Sequence, residues 1–214
     1  MSFIECLRKI CKLLDKNKIE YVIVGGLATI LLGVQRTTLD IDIIINLIFE
    51  DEVRKLVKVL KEANFNANLY EALEAFKERG HFTAISEEGR IIDFKYAKSN
   101  LDILTLKRKM FIEVLQTKIP ISPLEELITA KLKILRSQKD VEDALQLMYI
   151  YIDKIDWKLL RKYVGDDPLK YANKILSTIM KEFKDEKHTI NKIRKLRELK
   201  TKIENTLKTK IEPP

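Results

Sequence analysis

Glycine, proline, cysteine and histidine are all scarce in this chain: six, five, two and two among 214 residues. Each scarcity removes a class of protein. Cys6 and Cys11 lie five positions apart in a predicted helix and should face different directions, so no disulfide is expected between them. No Cys-x-x-Cys spacing exists for zinc. With only His81 and His188, no Ser-His-Asp set can be composed, and the Walker-type Gly-Lys-Ser/Thr motif is absent. No apolar run is long enough for a membrane helix and no secretory signal is read, so a cytoplasmic protein with no membrane partner is expected. There is no internal repeat and no low-complexity linker. What is present is an ordinary 46% of hydrophobic residues and an unusually high 34% of charged ones. This length accommodates one substantial domain, or a domain with a helical appendage.

The charge is unevenly placed. The formal net charge is +8, and residues 156–214 hold 16 Lys and Arg against 9 Asp and Glu. Nearly all of the basic excess therefore lies in the C-terminal quarter. Two readings fit: a surface that attracts phosphate, or a solvated helix face.

Periodicity orders the elements. Apolar residues at helical spacing predict a helix over 3–14, ended by the polar stretch 15–18. A short strand over 21–24 runs into Gly25-Gly26, a short helix over 27–32 stops near Gly33, and 39–45 reads as a second strand. A helix follows over 50–63, then a turn over 64–68 and a helical turn over 70–77. Residues 82–85 and 91–96 form a hairpin around Glu87-Glu88-Gly89, and short strands are expected at 111–114 and 117–121. Ser122, Pro123 and Glu125 read as a capping box opening a helix to about residue 135. From there all is helical, 141–151 and then 157 onward, with a break at 165–168. The composition shifts near residue 120 from mixed to all-helical. This predicts an α+β domain over 1–120, a mixed sheet with flanking helices, followed by a basic helical bundle over 121–214.

The chemistry concentrates in residues 22–46. Asp40 and Asp42 sit in a strand that is otherwise apolar, and strand residues two apart share a face. Two like charges held this close in apolar surroundings need a cation or strongly shifted pKa values. Mg²⁺ is the simplest answer, since it takes one or two carboxylates and leaves its other positions to water and phosphate. Asp93 is a third strand carboxylate flanked by apolar residues. Three such aspartates converging on one point would make a two-metal site for in-line phosphoryl displacement. Gly25-Gly26, leading into a helix, would offer backbone N–H groups to phosphate oxygens.

Val24-Gly25-Gly26, then Asp40-Ile41-Asp42, then Asp93 resembles the signature of the DNA polymerase β-like nucleotidyltransferase superfamily. The segment from Arg36 to Asp42 is more narrowly similar to the AbiEii-type abortive-infection toxin branch, as are Leu127-Ile128-Thr129-Ala130-Lys131, Arg136 and Lys139-Asp140. The resemblance spans roughly residues 20 to 150. It implies that Asp40 and Asp42 bind two Mg²⁺ ions and that Asp93 completes one site and serves or aligns the base. It further implies that Gly25 and Gly26 cradle the triphosphate of an NTP, ATP included, and that Lys131 reaches its phosphates. For Lys131 the alternative is a surface helix residue. Arg36 is assigned either to the nucleotide or to an ion pair bracing Asp42. Lys139 and Asp140 read as a helix-capping pair, Asp143 as structural, and His81 as a strand-edge residue able to touch substrate.

The resulting expectation is transfer of NMP from an NTP to an acceptor hydroxyl, with RNA binding and a tRNA-like 3′ end as acceptor, in a toxin-like protein. Rival expectations are transfer to a protein hydroxyl, a non-catalytic module that binds nucleotide and regulates a partner as antitoxins do, and plain nucleic-acid binding. A protein partner and the oligomeric state stay open.

Overall fold

Ile41, Ile43 and Ile45 are fully buried, while Asp40 and Asp42, which alternate with them, are half-buried. This period of two makes the segment a strand with one closed and one open face. In the computed structural model, which describes residues 2–211, the chain divides into two units. One comprises the residues up to Leu31 together with Gln35–Pro123. The other comprises Leu32–Val34 and the chain from Leu124 on.

The first unit holds a seven-stranded sheet: β1 (Glu20–Ile23), β2 (Asp40–Asn46), β3 (Phe65–Ala67), β4 (His81–Ser86), β5 (Ile91–Tyr96), β6 (Met110–Val114) and β7 (Thr117–Ile121). The spatial order is β3-β4-β5-β2-β1-β7-β6. The β2–β5 and β1–β7 pairs are parallel and the others antiparallel. The mixed sheet with flanking helices is thus as the sequence predicts.

Helices α1 (Phe3–Lys16), α3 (Glu50–Glu62) and α4 (Leu69–Glu78) cover one face of the sheet. Tyr21 on that face donates its hydroxyl to the Cys11 carbonyl, and Tyr96 donates to that of Ala72. The rings of Phe82, Phe94 and Tyr96 stack at 4.9 and 5.6 Å between centroids. Cys6 and Cys11 face different surroundings, as expected, Cys6 lying near Ser86 and Cys11 near Tyr21, although both are buried. The buried side of α1 is broad enough to take both, with Leu7, Ile10 and Leu14. They are free thiols, and burial pushes Cys11 up to about 12.

The opposite face is covered only in part. Leu106 of α5 (Asn100–Arg108) packs on Val22 and Ile44. The start of α5 is tied down by charge: Lys95 lies 2.6 Å from one oxygen of Asp102, whose other oxygen accepts the N–H groups of Lys98 and Ser99. Burial alone would raise the Asp102 carboxyl, but Lys95 and these backbone donors outweigh it and hold it below the usual carboxylate range. A carboxyl lowered by folding stabilises the fold above its unfolded value of about 3.9, and that contribution is lost as pH falls through the folded value. Urea midpoints measured across acidic pH should therefore fall below about pH 4, and Asp102→Asn should flatten that fall.

Three local readings need correction. Residues 65–67, read as a turn, form edge strand β3, because Phe65 and Ala67 pair with Ser86 and Ala84 and bury their side chains. Helix α5 was not read at all, although Ser99 and Asp102 form a capping box at its start. Helix α2 spans Gly25–Leu31, so both glycines lie inside its first turn rather than ahead of it.

The second unit is helical: α6 (Leu124–Ala130), a π-helical turn (Lys131–Leu135), α7 (Gln138–Ile150), α8 (Trp157–Val164), α9 (Pro168–Glu182) and α10 (Lys187–Ile211). Leu127, Ile128, Leu132, Leu145, Met148, Leu160, Leu176 and Ile193 are among its buried residues. The Ser122 hydroxyl donates to the Pro123 carbonyl, and Glu125 of α6 accepts the N–H of Asp156. The break over 165–168 is as expected: Gly165 takes a left-handed conformation and Asp167 caps α9 with Pro168 at its start. Among the described residues no helix is long and apolar enough to cross a membrane.

Candidate active site

The open face of the sheet can be read from strand register alone. Asp42 and Asp93 are direct partners on the parallel strands β2 and β5, and Thr83 of β4 stands opposite Asp93. One rung earlier on β2, Asp40 pairs with Ile91, which pairs in turn with Ile85. One rung later come Ile44, Lys95 and His81. Adjacent strands lie about 4.8 Å apart, so the backbone delivers all three carboxylates to one patch.

Each carboxylate is turned to its own partner. Thr38 donates its hydroxyl to Asp40 at 2.6 Å. The Nδ1 of His81 is 3.3 Å from Asp93 Oδ2. Asp42 lies against the start of α2: a Cβ on Gly25 would sit 2.1 Å from Asp42 Oδ2. Among the described residues no three His, Cys, Asp or Glu side chains are gathered closely enough to hold a metal ion. The expected convergence on one point is thus met by the backbone but not by the side-chain ends.

The two glycines are needed for space. Gly25 has φ +61, and any side chain there would strike the Asp42 carboxylate. A Cβ on Gly26 would lie 2.9 Å from both Arg36 Nη2 and Thr38 Oγ1. Arg36 therefore lies across the Gly25-Gly26 turn, with its Nε donating to the Thr37 carbonyl at 3.4 Å. Gly25→Ala should displace Asp42 and strain the turn, lowering the unfolding free energy by about 1–3 kcal/mol. Its urea midpoint should fall further than that of Gly33→Ala, which shares the backbone strain of positive φ (+90) but has no atom within 4 Å to meet a Cβ, so the difference isolates the clash with Asp42.

Lys131 is in the second unit, at the start of the π-helical turn, and is 1% exposed. Its ammonium is 2.7 Å from Asp143 and 3.5 Å from Asp140. The surface reading of Lys131 is thereby excluded. Asp140 also forms a capping box with Ser137 at the start of α7, in keeping with the capping role read for it, and Asp143 is a buried structural partner. His188 is exposed on α10.

The comparisons with known proteins decide the family. The model of the family described as "Nucleotidyltransferase of unknown function (DUF6036)" matches residues 2–208. The chain belongs to this nucleotidyltransferase family. No curated protein matches the nucleotidyltransferase in sequence. Its fold is similar to that of an antigenic nucleotidyltransferase-like protein from Paracoccidioides brasiliensis, at 15% identity and a TM-score of 0.50, covering 88% of this chain and 91% of that one. It is similar also to ANT(2")-Ia in complex with adenylyl-2"-tobramycin, at 14% identity and a TM-score of 0.50, covering 76% and 96%. A Thermotoga maritima CCA-adding enzyme complexed with tRNA aligns at 16% identity and a TM-score of 0.42, covering 91% and 50%.

The nucleotidyltransferase patch includes side chains that were not read from the sequence as parts of it. Thr38 was available as the residue two before Asp40. Thr83 and Lys95 were available from the alternation of β4 and β5 about Asp93.

Proposed function

We propose that this nucleotidyltransferase moves an NMP from an NTP to an acceptor hydroxyl on the open face bearing Asp40, Asp42 and Asp93. The observation that carries the reading is the register pairing of Asp42 with Asp93 on parallel strands, beside a glycine turn that leaves no room for a side chain. The donor set is all oxygen, which suits Mg²⁺ rather than a softer metal. Asp40 and Asp42 would hold the ions with the nucleotide's phosphates, and Asp93 would complete the set. When bound, Mg²⁺ would neutralise phosphate charge and favour both the attacking and the leaving oxygen.

The protein's own groups do the positioning. N–H groups of the Gly25-Gly26 turn and the guanidinium of Arg36 face the triphosphate. The acceptor oxygen forms a bond to the α-phosphorus as the bond to pyrophosphate breaks. The acceptor proton passes to solvent water, with Asp93 aligning the hydroxyl that loses it. In this reading Lys131 braces the helical unit, and its burial between Asp140 and Asp143 supports that over contact with phosphate.

The acceptor is read as the 3′ end of an RNA such as a tRNA, in a cytoplasmic, toxin-like enzyme of the AbiEii-type branch. The basic excess of residues 156–214 supports a polyanion, and the segment from Arg36 to Asp42 supports the branch. The test is label transfer from each α-labelled NTP, with Mg²⁺ and total RNA of the source cells, beside an Asp40→Ala/Asp42→Ala control. Label in a tRNA-sized band, lost in the control, is the expected result. Label on a protein would move the acceptor to a protein hydroxyl. NTP binding with no label on anything would turn the reading to a regulatory module.

A further inference from the structure

We propose that His81 is a positioning residue of this site, acting through Asp93. The inference rests on the reading of Asp93 given above. Its observation is the 3.3 Å contact between His81 Nδ1 and Asp93 Oδ2. An ionised carboxylate only accepts hydrogen bonds, so the contact places a proton on Nδ1.

The register explains why these two side chains meet. His81 stands opposite Lys95, and Asp93 stands opposite Thr83. His81 and Asp93 are therefore diagonal neighbours on one face, a separation that long side chains bridge. Lys95, the direct partner of His81, does not compete for Asp93, because its ammonium is 2.6 Å from Asp102.

The imidazole hangs from a fixed point. Arg79 takes a left-handed conformation at the end of α4, and Gly80 donates its N–H to the Ala75 carbonyl at 2.7 Å. The Tyr96 N–H donates to the Gly80 carbonyl, and the Arg79 guanidinium donates to the Leu47 carbonyl at 2.7 Å. The turn before His81 is thus bonded to the strand carrying Asp93 and to the residue following β2. The ring itself does no core packing, since the side chain is 56% exposed. What it does is limit the rotation of a carboxylate whose last torsion is otherwise broad. Holding Oδ2 leaves the other oxygen of Asp93 for the shared centre with Asp42. Residues that orient a metal-binding carboxylate in this way commonly matter about 10- to 100-fold in metal affinity or activity.

The test uses the full chain with His81→Ala, His81→Asn and His81→Gln, beside Asp93→Asn. The amide nitrogen of Asn falls where Nδ1 stood, whereas that of Gln falls nearer Nε2. Two readouts apply: Mn²⁺ binding, from free Mn²⁺ counted by electron paramagnetic resonance, and kcat and KM for NTP with total RNA as acceptor. His81→Ala and His81→Gln should weaken Mn²⁺ binding about tenfold and lower kcat more than they change KM. His81→Asn should restore most of both. Wild-type Mn²⁺ binding in His81→Ala, with Asp93→Asn impaired, overturns the role of His81 and leaves that of Asp93 standing. Equal losses in all three His81 variants with lowered unfolding midpoints also overturn it, because His81 would then serve the fold. Wild-type behaviour of Asp93→Asn overturns the reading of Asp93 and this inference together.

Discussion

Asp42→Asn should lower nucleotidyl transfer about a hundred- to a thousandfold while leaving the fold intact. The rate effect follows from chemistry that is almost wholly charge neutralisation and positioning, where removing one preorganised electrostatic partner costs about 10²- to 10³-fold. Asp42 is the carboxylate with two structural ties to the patch: it is paired in register with Asp93 and packed against Gly25. Asparagine keeps the shape that fits beside Gly25 and loses only the charge. The fold should therefore tolerate the change, and the urea midpoint should stay close to that of the wild type. The paired measurement is transfer rate and unfolding midpoint on the same preparation. Transfer near the wild-type rate would show that the chemistry lies elsewhere. A lost rate accompanied by a lowered midpoint would mean that the carboxylate serves the fold.

The second large effect concerns Lys131. Lys131→Met should destabilise the helical unit by about 3–5 kcal/mol, the usual cost of breaking a buried ion pair by removing one member. Asp143 is a buried charge left behind, since its side chain is 3% exposed and lies 2.7 Å from the Lys131 ammonium. Domains of this size are stable by only about 5–15 kcal/mol, so the variant should unfold at much lower denaturant. The double variant Lys131→Met/Asp143→Leu removes both charges and should recover most of the loss. Transfer activity in the double variant then separates two roles. A stable double variant that still transfers label fits Lys131 as a brace. A stable double variant without transfer would return Lys131 to the phosphates.

The parts of the molecule legible in the sequence were those set by short-range pattern. Alternation over 91–96 and 82–85 marked the hairpin, and Asp40-Ile41-Asp42 marked the open face of β2 because a strand repeats every two residues. Capping chemistry at residues 165–168 marked the break before α9. Strand β3 was hidden because three residues among asparagines become a strand only through β4, which supplies their hydrogen bonds. The start of α2 was hidden because glycine disfavours helix, and here the need for space beside Asp42 and Arg36 outweighs propensity. The burial of Lys131 was hidden for a related reason. A lysine on a helix reads as solvated, and only the partners on α7 reveal otherwise.

The register of β2 also bears on when the site exists during synthesis. Asp42 lies in a strand flanked by β1, made shortly before it, and by β5, made much later. A growing chain carries Asp40, Asp42 and the glycine turn well before it carries Asp93. The carboxylate pair is absent from every nascent chain shorter than β5, so a chain still on the ribosome up to that length has no competent centre. Parallel pairing across so long an interval is a slow, non-local step. Competence for transfer should therefore appear late in refolding, in step with β2–β5 docking rather than with helix formation. Transfer at the proposed site should in this way be absent until β5 has docked on β2.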